Sequence, residues 1–149
     1  MGAPQYGLDN YIGAFNFKVE IDGITVENSK FVNVSGVVST SETMEFMQGD
    51  DRYIMKQPGR ASFEDIELKR VYQMVDAFYE WRLQIENGVI ERKLITVHML
   101  LPDMFTPVRT MMIHDAYPSK WELPPMDASS TEVALETITL TWSHVTQGV

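Results

Sequence analysis

A strict alternation of threonines with apolar residues near the end of the chain is the feature that most constrains its fold. From residue 137 to residue 142, every second residue is a threonine and the others are apolar: Thr137, Thr139 and Thr141 against Ile138, Leu140 and Trp142. Side chains alternate between the two faces of a strand, so this segment predicts a β-strand. One face of it belongs to a core and the other to water, as in a sheet that packs on one side only.

Further segments with the same period predict most of the remaining chain as β-structure. The alternation is clearest from Phe15 to Ile21, and it returns from Phe31 to Phe46 with an interruption at Ser35-Gly36. It is also present near Ile66, from Ile95 to Leu101 and from Val108 to His114. Asp22-Gly23 predicts a turn that leads into a returning strand at Ile24 and Val26. Residues 1–149 are therefore predicted to form a single, mostly-β domain.

One segment has helical spacing instead. Its apolar residues recur every three or four positions: Val71, Met74, Val75, Phe78, Trp81 and Ile85. This pattern predicts an amphipathic helix from Val71 to Ile85. Asn87-Gly88 follows it directly and is typical of a helix end.

The segment from Glu42 to Gly59 predicts a projecting arm. Turn signals at Gly49-Asp50-Asp51 and Gln57-Pro58-Gly59 enclose a short apolar stretch, Tyr53-Ile54-Met55. The segment has little core-forming pattern, so we expect a hairpin whose purpose is contact with another molecule rather than packing within the chain.

Composition excludes several classes of protein. The chain has no cysteine, which removes disulfides, thiolate catalysis and cysteine-bound zinc. Its formal net charge of −9 argues against a nucleic-acid-binding face. The sequence holds no apolar run long enough to span a membrane, and its first residues do not resemble a secretory signal. These features fit a protein made in a reducing cytoplasm.

Clusters of potentially catalytic or metal-binding residues favour structural roles. His98, His114 and Asp115 on paired strands are compatible with a two-histidine, one-carboxylate metal site, but no local motif fixes one. The adjacent acids Asp50-Asp51 and Glu64-Asp65 are typical of solvated positions rather than of an acid–base pair. Ser129-Ser130 lacks the surroundings of a nucleophile and favours turn or cap hydrogen bonding. We therefore predict no catalytic residue, no metal site and no cofactor.

The densest basic region lies among acids. Its cations are Lys56, Arg60, Lys69 and Arg70, and the surrounding acids are Asp50, Asp51, Glu64, Asp65 and Glu67. This mixture predicts salt bridges, within the chain or across a subunit boundary, rather than binding of nucleic acid.

Five segments in order resemble the T4-like tail tube protein family of phages and contractile injection systems. They are FNFKVEIDG at Phe15–Gly23, FVNVSG at Phe31–Gly36, QPGRASFEDIELKR at Gln57–Arg70, AYPSKW at Ala116–Trp121 and DASSTEVALETITL at Asp127–Leu140. Together they span most of the chain, from Phe15 to Leu140. The region from Val89 to Val108 departs from the resemblance, since LPDMFTPV stands where an Asp/Gly-turned hairpin is expected.

The resemblance implies a small β-barrel or sandwich with one flanking helix, joined into a hexameric ring without catalytic activity. Rings would stack into a hollow tube inside a contractile sheath and carry protein cargo. The implied partners are further copies, the sheath protein, the baseplate or spike, tube-terminating proteins and cargo. The resemblance also implies assembly of the particle in a bacterial cytoplasm and leaves release from the cell open.

The resemblance also suggests roles for two sets of residues. The candidate ring or stacking contacts on the arm are Glu42, Asp50, Asp51, Arg52, Lys56 and Arg60. The candidate lumen face is Thr137, Thr139 and Thr141, whose hydroxyls would provide a wet lining.

Three alternatives stay open at this point. The first is the tail tube of a contractile-tailed phage that guides DNA, and the second is a secreted ring of the type VI kind. The third belongs to another class, a monomeric β-barrel that binds a small apolar ligand in a cavity lined by Trp81, Trp121 and Trp142.

Overall fold

The part of the chain that the structure describes contains nine strands and one helix. This computed structural model of the 149-residue chain describes residues 16–24, 31–50, 52–71, 77–103, 105–129, 131 and 133–148. In chain order the elements are β1 (Phe17–Ile21), β2 (Asn33–Val34), β3 (Ser39–Phe46), β4 (Met55–Phe63), β5 (Ile66–Val71), α1 (Ala77–Glu86), β6 (Lys93–Leu100), β7 (Pro107–Glu122), β8 (Leu135–Thr141) and β9 (His144–Gly148). The predicted class, mostly β with one helix, is confirmed.

Seven of the strands form one antiparallel sheet, and β3 and β4 form a separate sheet of two strands. In the larger sheet the order is β1-β6-β7-β8-β5-β2, and β9 also pairs with β7. The strands at the two ends of this order, β1 and β2, do not pair with each other. The described strands therefore leave the sheet open, and the closed barrel, one of the two predicted forms, is not formed.

The long strand β7 joins two halves of the large sheet. Its residues Thr110 to His114 lie between β6 on one side and β9 on the other, whereas Tyr117 to Glu122 pair with β8. Between these stretches Asp115 has a φ of 57°, which residues other than glycine seldom adopt. The strand thus changes partners next to Asp115, between Ala116, which still pairs with β6, and Tyr117, which pairs with β8. The first half consists of β1, β6, β9 and the start of β7, and the second half of β2, β5, β8 and the end of β7.

Both halves and the helix contribute to one hydrophobic core. Its buried members are Val19, Ile21, Ile66, Leu68, Phe78, Trp81, Ile95, Val97, Ile113, Ala116, Ile138, Leu140 and Trp142. Strand β8 confirms the predicted alternation, because its even-numbered residues are buried and its threonines are half-buried on the other face. A side chain buried in this way contributes roughly 1.5 to 3 kcal/mol relative to an exposed one.

The helix begins later than the sequence predicted. Val71 is the last residue of β5, where it pairs with Leu135, and α1 begins at Ala77. Met74 and Val75 lie outside the described residues. Phe78 and Trp81 face the core, and Asn87-Gly88 ends the helix as predicted, with Gly88 at a φ of 86°.

The core also contains a charged pair that the sequence did not reveal. Arg70 Nε donates to Glu136 Oε2 at 2.9 Å, and both side chains are 1% exposed. Trp121 Nε1 donates to the second carboxylate oxygen at 2.7 Å, and the guanidinium of Arg70 lies 4.0 Å from the ring centroid of Phe78. The sequence placed Arg70 in a basic region that bridges to nearby acids. Instead, its carboxylate partner lies 66 residues further along the chain, inside the core.

Removal of Glu136 is expected to destabilise the fold strongly. In a Glu136→Ala variant the guanidinium of Arg70 stays buried without this carboxylate, which typically costs about 3 to 5 kcal/mol. Urea unfolding followed by tryptophan fluorescence would measure the loss. The control is Glu122→Ala, since Glu122 pairs with Lys120 at the surface and its loss costs at most about 1 kcal/mol. Equal losses in the two variants would contradict a stabilising role for the buried pair.

Candidate assembly surfaces

The hairpin formed by β3 and β4, called the arm below, projects from the rest of the molecule. Every residue of β3 is exposed, and β4 is exposed except at Gly59 and Phe63, which are half-buried. Two-stranded hairpins are marginally stable on their own in water. The arm is therefore an exposed two-stranded element that buries little of its own surface.

The bounds of the arm differ from the prediction. The predicted arm ran from Glu42 to Gly59, whereas the paired strands extend from Ser39 to Phe63. Gln57-Pro58-Gly59, predicted as a turn, lies inside β4, next to a shift in the register of the arm. Gly59 and Arg60 of β4 stand opposite the single residue Glu42 of β3, so the extra residue of this bulge is on β4. A Cβ on Gly59 would lie 2.9 Å from the backbone oxygen of Glu42. A glycine is thus required by close approach rather than by a turn.

The arm is amphipathic. In its register Phe46 pairs with Met55 and Met44 pairs with Gln57, so these side chains share one face. Glu45 pairs with Lys56 on the opposite face. Further exposed apolar residues lie beyond the paired strands, near the end of the arm: Met47, Tyr53 and Ile54. Exposed apolar side chains grouped in this way are typical of interaction sites.

The predicted contact residues lie along this same arm. Those that the structure describes are all exposed: Glu42, Asp50, Arg52, Lys56 and Arg60. Glu42 sits at the bulge, and Asp50 and Arg52 lie in the connection between β3 and β4. Asp51 lies outside the described residues. The sequence identified the charged residues of the arm but did not single out its apolar face.

The threonine face of β8 is flanked by charges on both sides. In the register Thr139 stands between Glu67 and Lys120, and Thr137 between Lys69 and Glu122. Lys120 forms an ion pair with Glu122, and this partner raises the pKa of the Lys120 ammonium. Thr141 Oγ1 donates to Asp65 Oδ1 at 3.0 Å. The face is therefore hydroxylated along its centre, with compensating charges of both signs beside it.

The histidines do not assemble a metal site. His98 pairs in register with Thr110, and its Nδ1 lies 2.9 Å from Thr110 Oγ1. Thr110 lies four residues before His114 on β7, so His98 is roughly 13 Å from His114 along the strand direction. The ring of His114 instead stacks on that of His144, with 4.4 Å between their centroids. In the described part of the chain, no three His, Asp or Glu residues are grouped so as to hold a metal ion.

A serine, a histidine and an aspartate do meet near the bend of β7, but not as a nucleophilic triad. Ser143 Oγ donates to Asp115 Oδ2 at 3.0 Å and lies 2.8 Å from His144 Nδ1. The carboxylate is therefore bound to the hydroxyl, whereas a triad needs it on the imidazole. Ser129 forms a local turn, since its amide and hydroxyl both donate to Asp127 Oδ1. Ser130 lies outside the described residues.

An open apolar groove of about 1170 Å³ lies beside the first half of the sheet. Its lining comes from β1, β6, β7 and β9 and from residues 31–39: Phe17, Phe31, Val32, Asn33, Val34, Ser35, Gly36, Val37, Ser39, Val97, Met99, Arg109, Met111 and Val145. The cavity expected for an apolar ligand was to be lined by Trp81, Trp121 and Trp142, and that expectation is wrong. Each indole N–H is bound to a protein oxygen elsewhere, and none of the three tryptophans lines the groove.

The fold and these surfaces define the class as a mostly-β protein with one helix and an exposed two-stranded arm. Comparison with protein families gives the particular family. The profile described as T4-like virus tail tube protein gp19 matches residues 13–146. The chain therefore belongs to the T4-like tail tube protein family, and its role is that of a structural tube protein. No curated protein matches the chain by sequence. Within the described ranges, no helix has the length and apolarity needed to cross a membrane.

Solved structures agree with this family. A chain of the PVC sheath–tube complex, from an extracellular contractile injection system in the extended state, is 24% identical with a TM-score of 0.83, covering 95% of this chain and 93% of that one. The tube-terminating cap of the anti-feeding prophage gives 27% identity and a TM-score of 0.83, with coverage of 99% and 95%. Hcp1 from Flavobacterium johnsoniae shares the fold alone, at 16% identity and a TM-score of 0.55, with coverage of 89% and 94%.

Substitution of Gly59 should loosen the arm without unfolding the core. Gly59→Ala forces Glu42 to move, so we expect amide hydrogen exchange in β3 and β4 to accelerate at least about fivefold, the equivalent of roughly 1 kcal/mol. The matched control is Gly36→Ala, because a Cβ at Gly36 would meet nothing within 4 Å. Unchanged exchange in the arm of Gly59→Ala would contradict the close approach of these two strands.

Proposed function

We propose that the chain is the inner tube protein of a phage-tail-like contractile injection system. In this proposal hexameric rings stack into a hollow tube inside the sheath, and the tube carries protein cargo into a target cell. Membership of the tail tube family supports the structural role.

One observation favours an injection system over the alternatives. The chain is similar over nearly its whole length to tube-associated chains of two such systems, each with a TM-score of 0.83. The similarity to Hcp1 is much lower, at a TM-score of 0.55, which disfavours a ring of the type VI kind. A phage tail tube that guides DNA is the second candidate, because the matching family is described from a virus.

The arm is the proposed contact between subunits, either within a ring or between rings. Its exposed apolar face supports this role, since association would remove that face from water. Among the described strands, neither β3 nor β4 pairs with a third strand, so each has one edge that a neighbouring chain would complete or cover. Its charged residues, among them Glu42, Lys56 and Arg60, would set register and partner choice.

The threonine face is the proposed lining of the lumen. Its hydroxyls keep water bound, and its neighbouring charges compensate one another through pairs such as Lys120 with Glu122. A lining without a single-sign charge gives passing cargo no strong electrostatic hold.

The proposed partners follow from the proposed role as an inner tube protein. They are the sheath protein around the tube, the baseplate or spike at one end, tube-terminating proteins at the other, and the cargo. Synthesis in the bacterial cytoplasm, followed by assembly into the particle, fits the absence of cysteine from the sequence.

Electron microscopy of the purified protein, with native mass spectrometry alongside, tests the proposal directly. Six-fold rings or stacked tubes are the expected result. A stable monomer at micromolar concentration under all salt conditions would contradict it. Purified particles separate the two candidates, because protein cargo in the lumen supports an injection system and a nuclease-sensitive genome supports a phage.

Removal of charge from the end of the arm should block stacking. In the variant Asp50→Ala, Asp51→Ala, Arg52→Ala we expect folded subunits that form few or no stacked tubes, as seen by electron microscopy. The control variant Glu80→Ala, Glu86→Ala alters exposed charges on α1 and should stack normally. Tubes of normal length in the arm variant would show that these three residues do not make the stacking contact.

Labelling in assembled tubes tests the lumen face. Because the chain has no cysteine, Thr139→Cys introduces the sole thiol. We expect a small maleimide to label it in tubes, and a maleimide on a polymer wider than the bore to react only after disassembly. The control is Val89→Cys, at an exposed position beyond α1, which is expected to lie on the outside. Equal access of the large reagent to both thiols in intact tubes would place Thr139 outside the lumen.

A further inference from the structure

In the turn between β6 and β7, of which residues 101–103 and 105–106 are described, the carboxylate of Asp103 binds Phe105 and Thr106. Its Oδ1 accepts from the amides of Phe105 at 2.8 Å and Thr106 at 3.0 Å, and its Oδ2 accepts from the Thr106 hydroxyl at 2.8 Å. Leu101 N donates to Thr106 O at 2.9 Å and closes the turn. These bonds lower the pKa of Asp103 below its ordinary value of 3.8, so the carboxylate is ionised at neutral pH.

This ordered turn presents an aromatic side chain to water. Phe105 is 86% exposed, the highest value among the exposed large apolar residues of the described chain. Pro102, Pro107 and Val108 beside it are exposed as well. A rigid turn loses little conformational entropy on docking, and a buried aromatic anchor is typical of an interface centre. The turn, with Phe105 at its tip, is called the knob below.

The apolar groove described above matches the knob in both apolarity and charge. Arg109 is the one charged residue in its lining, and Asp103 is the one charged residue between Leu101 and Val108. Arg109 Nη2 donates to the neutral Gln147 Oε1 at 3.3 Å, and none of the salt bridges among the described residues involves Arg109. An apolar groove with one cation thus suits an apolar knob with one carboxylate.

We propose that Phe105 of one copy docks in the groove of a second copy, with Asp103 beside the partner's Arg109. The exposure of Phe105 shows that the knob does not fill the groove of its own chain. A contact between two different surfaces of identical chains is heterologous, and such contacts build rings or stacks. The inference rests on the proposed function, since it assumes that copies assemble, and it assigns a role to the LPDMFTPV segment that departs from the family resemblance.

Photo-crosslinking from position 105 tests the contact. Benzoylphenylalanine replaces Phe105, and stacked tubes assembled from a mixture of light and ¹⁵N-labelled subunits are irradiated and digested. We expect mixed light–heavy adducts on residues 31–37, Met99 or Met111. Adducts on another surface, or tubes that yield no adduct between copies, would overturn the knob contact and leave the proposed function standing. If the wild-type chain forms no rings, the proposed function fails and this contact fails with it.

Substitutions supply an independent measurement. Phe105→Ser should raise the subunit concentration needed for half-assembly at least about tenfold, whereas Phe105→Tyr should restore most of the assembly. Arg109→Glu should weaken assembly in the same direction. The controls are Val133→Ser, which changes a residue that is 65% exposed elsewhere, and Lys120→Glu, which reverses a charge on another face. Assembly of Phe105→Ser at the wild-type concentration, with its fold intact by circular dichroism, would exclude the contact.

Discussion

The ion pair between Arg70 and Glu136 is the contact on which the second half of the sheet depends. Its two residues lie opposite each other on β5 and β8, and Trp121 of β7 donates to the same carboxylate. Phe78 of the helix packs under the guanidinium. Three strands and the helix therefore meet at one charged group that water does not reach. Burial of this ion pair is tolerated because both carboxylate oxygens of Glu136 accept hydrogen bonds. Displacement of one of these elements would break such a bond and leave a buried charge without full compensation.

Local sequence patterns predicted those elements whose conformation depends on residues that are close together in the sequence. The alternation in β8 was sufficient because its threonine and core faces differ at every residue, and Gly88 ended the helix as expected. The start of α1 was misplaced because Val71 fits the helical stripe by its apolarity, whereas it is the last residue of β5, on the exposed face of that strand. Glu136 falls on the core face by alternation, but its partner lies 66 residues away, and no local pattern shows such a distance.

The features of the arm and the groove could likewise be predicted only where they depend on residues close together in the sequence. Charges on the arm were visible in the sequence, yet its apolar face depends on the register that pairs Phe46 with Met55. The bulge at Glu42 sets that register, and Pro58-Gly59 resembled a turn because the same residue types serve both purposes. The groove was invisible for a different reason, since its lining comes from separate strands that only the sheet topology brings together.

The bend of β7 has a mechanical consequence. A single strand of 16 residues is shared by both halves of the sheet, and it changes partners next to Asp115. The two halves are therefore joined covalently as well as by hydrogen bonds. They can separate only if the ladders that β7 forms with β6 and β9, or the ladder that it forms with β8, are broken.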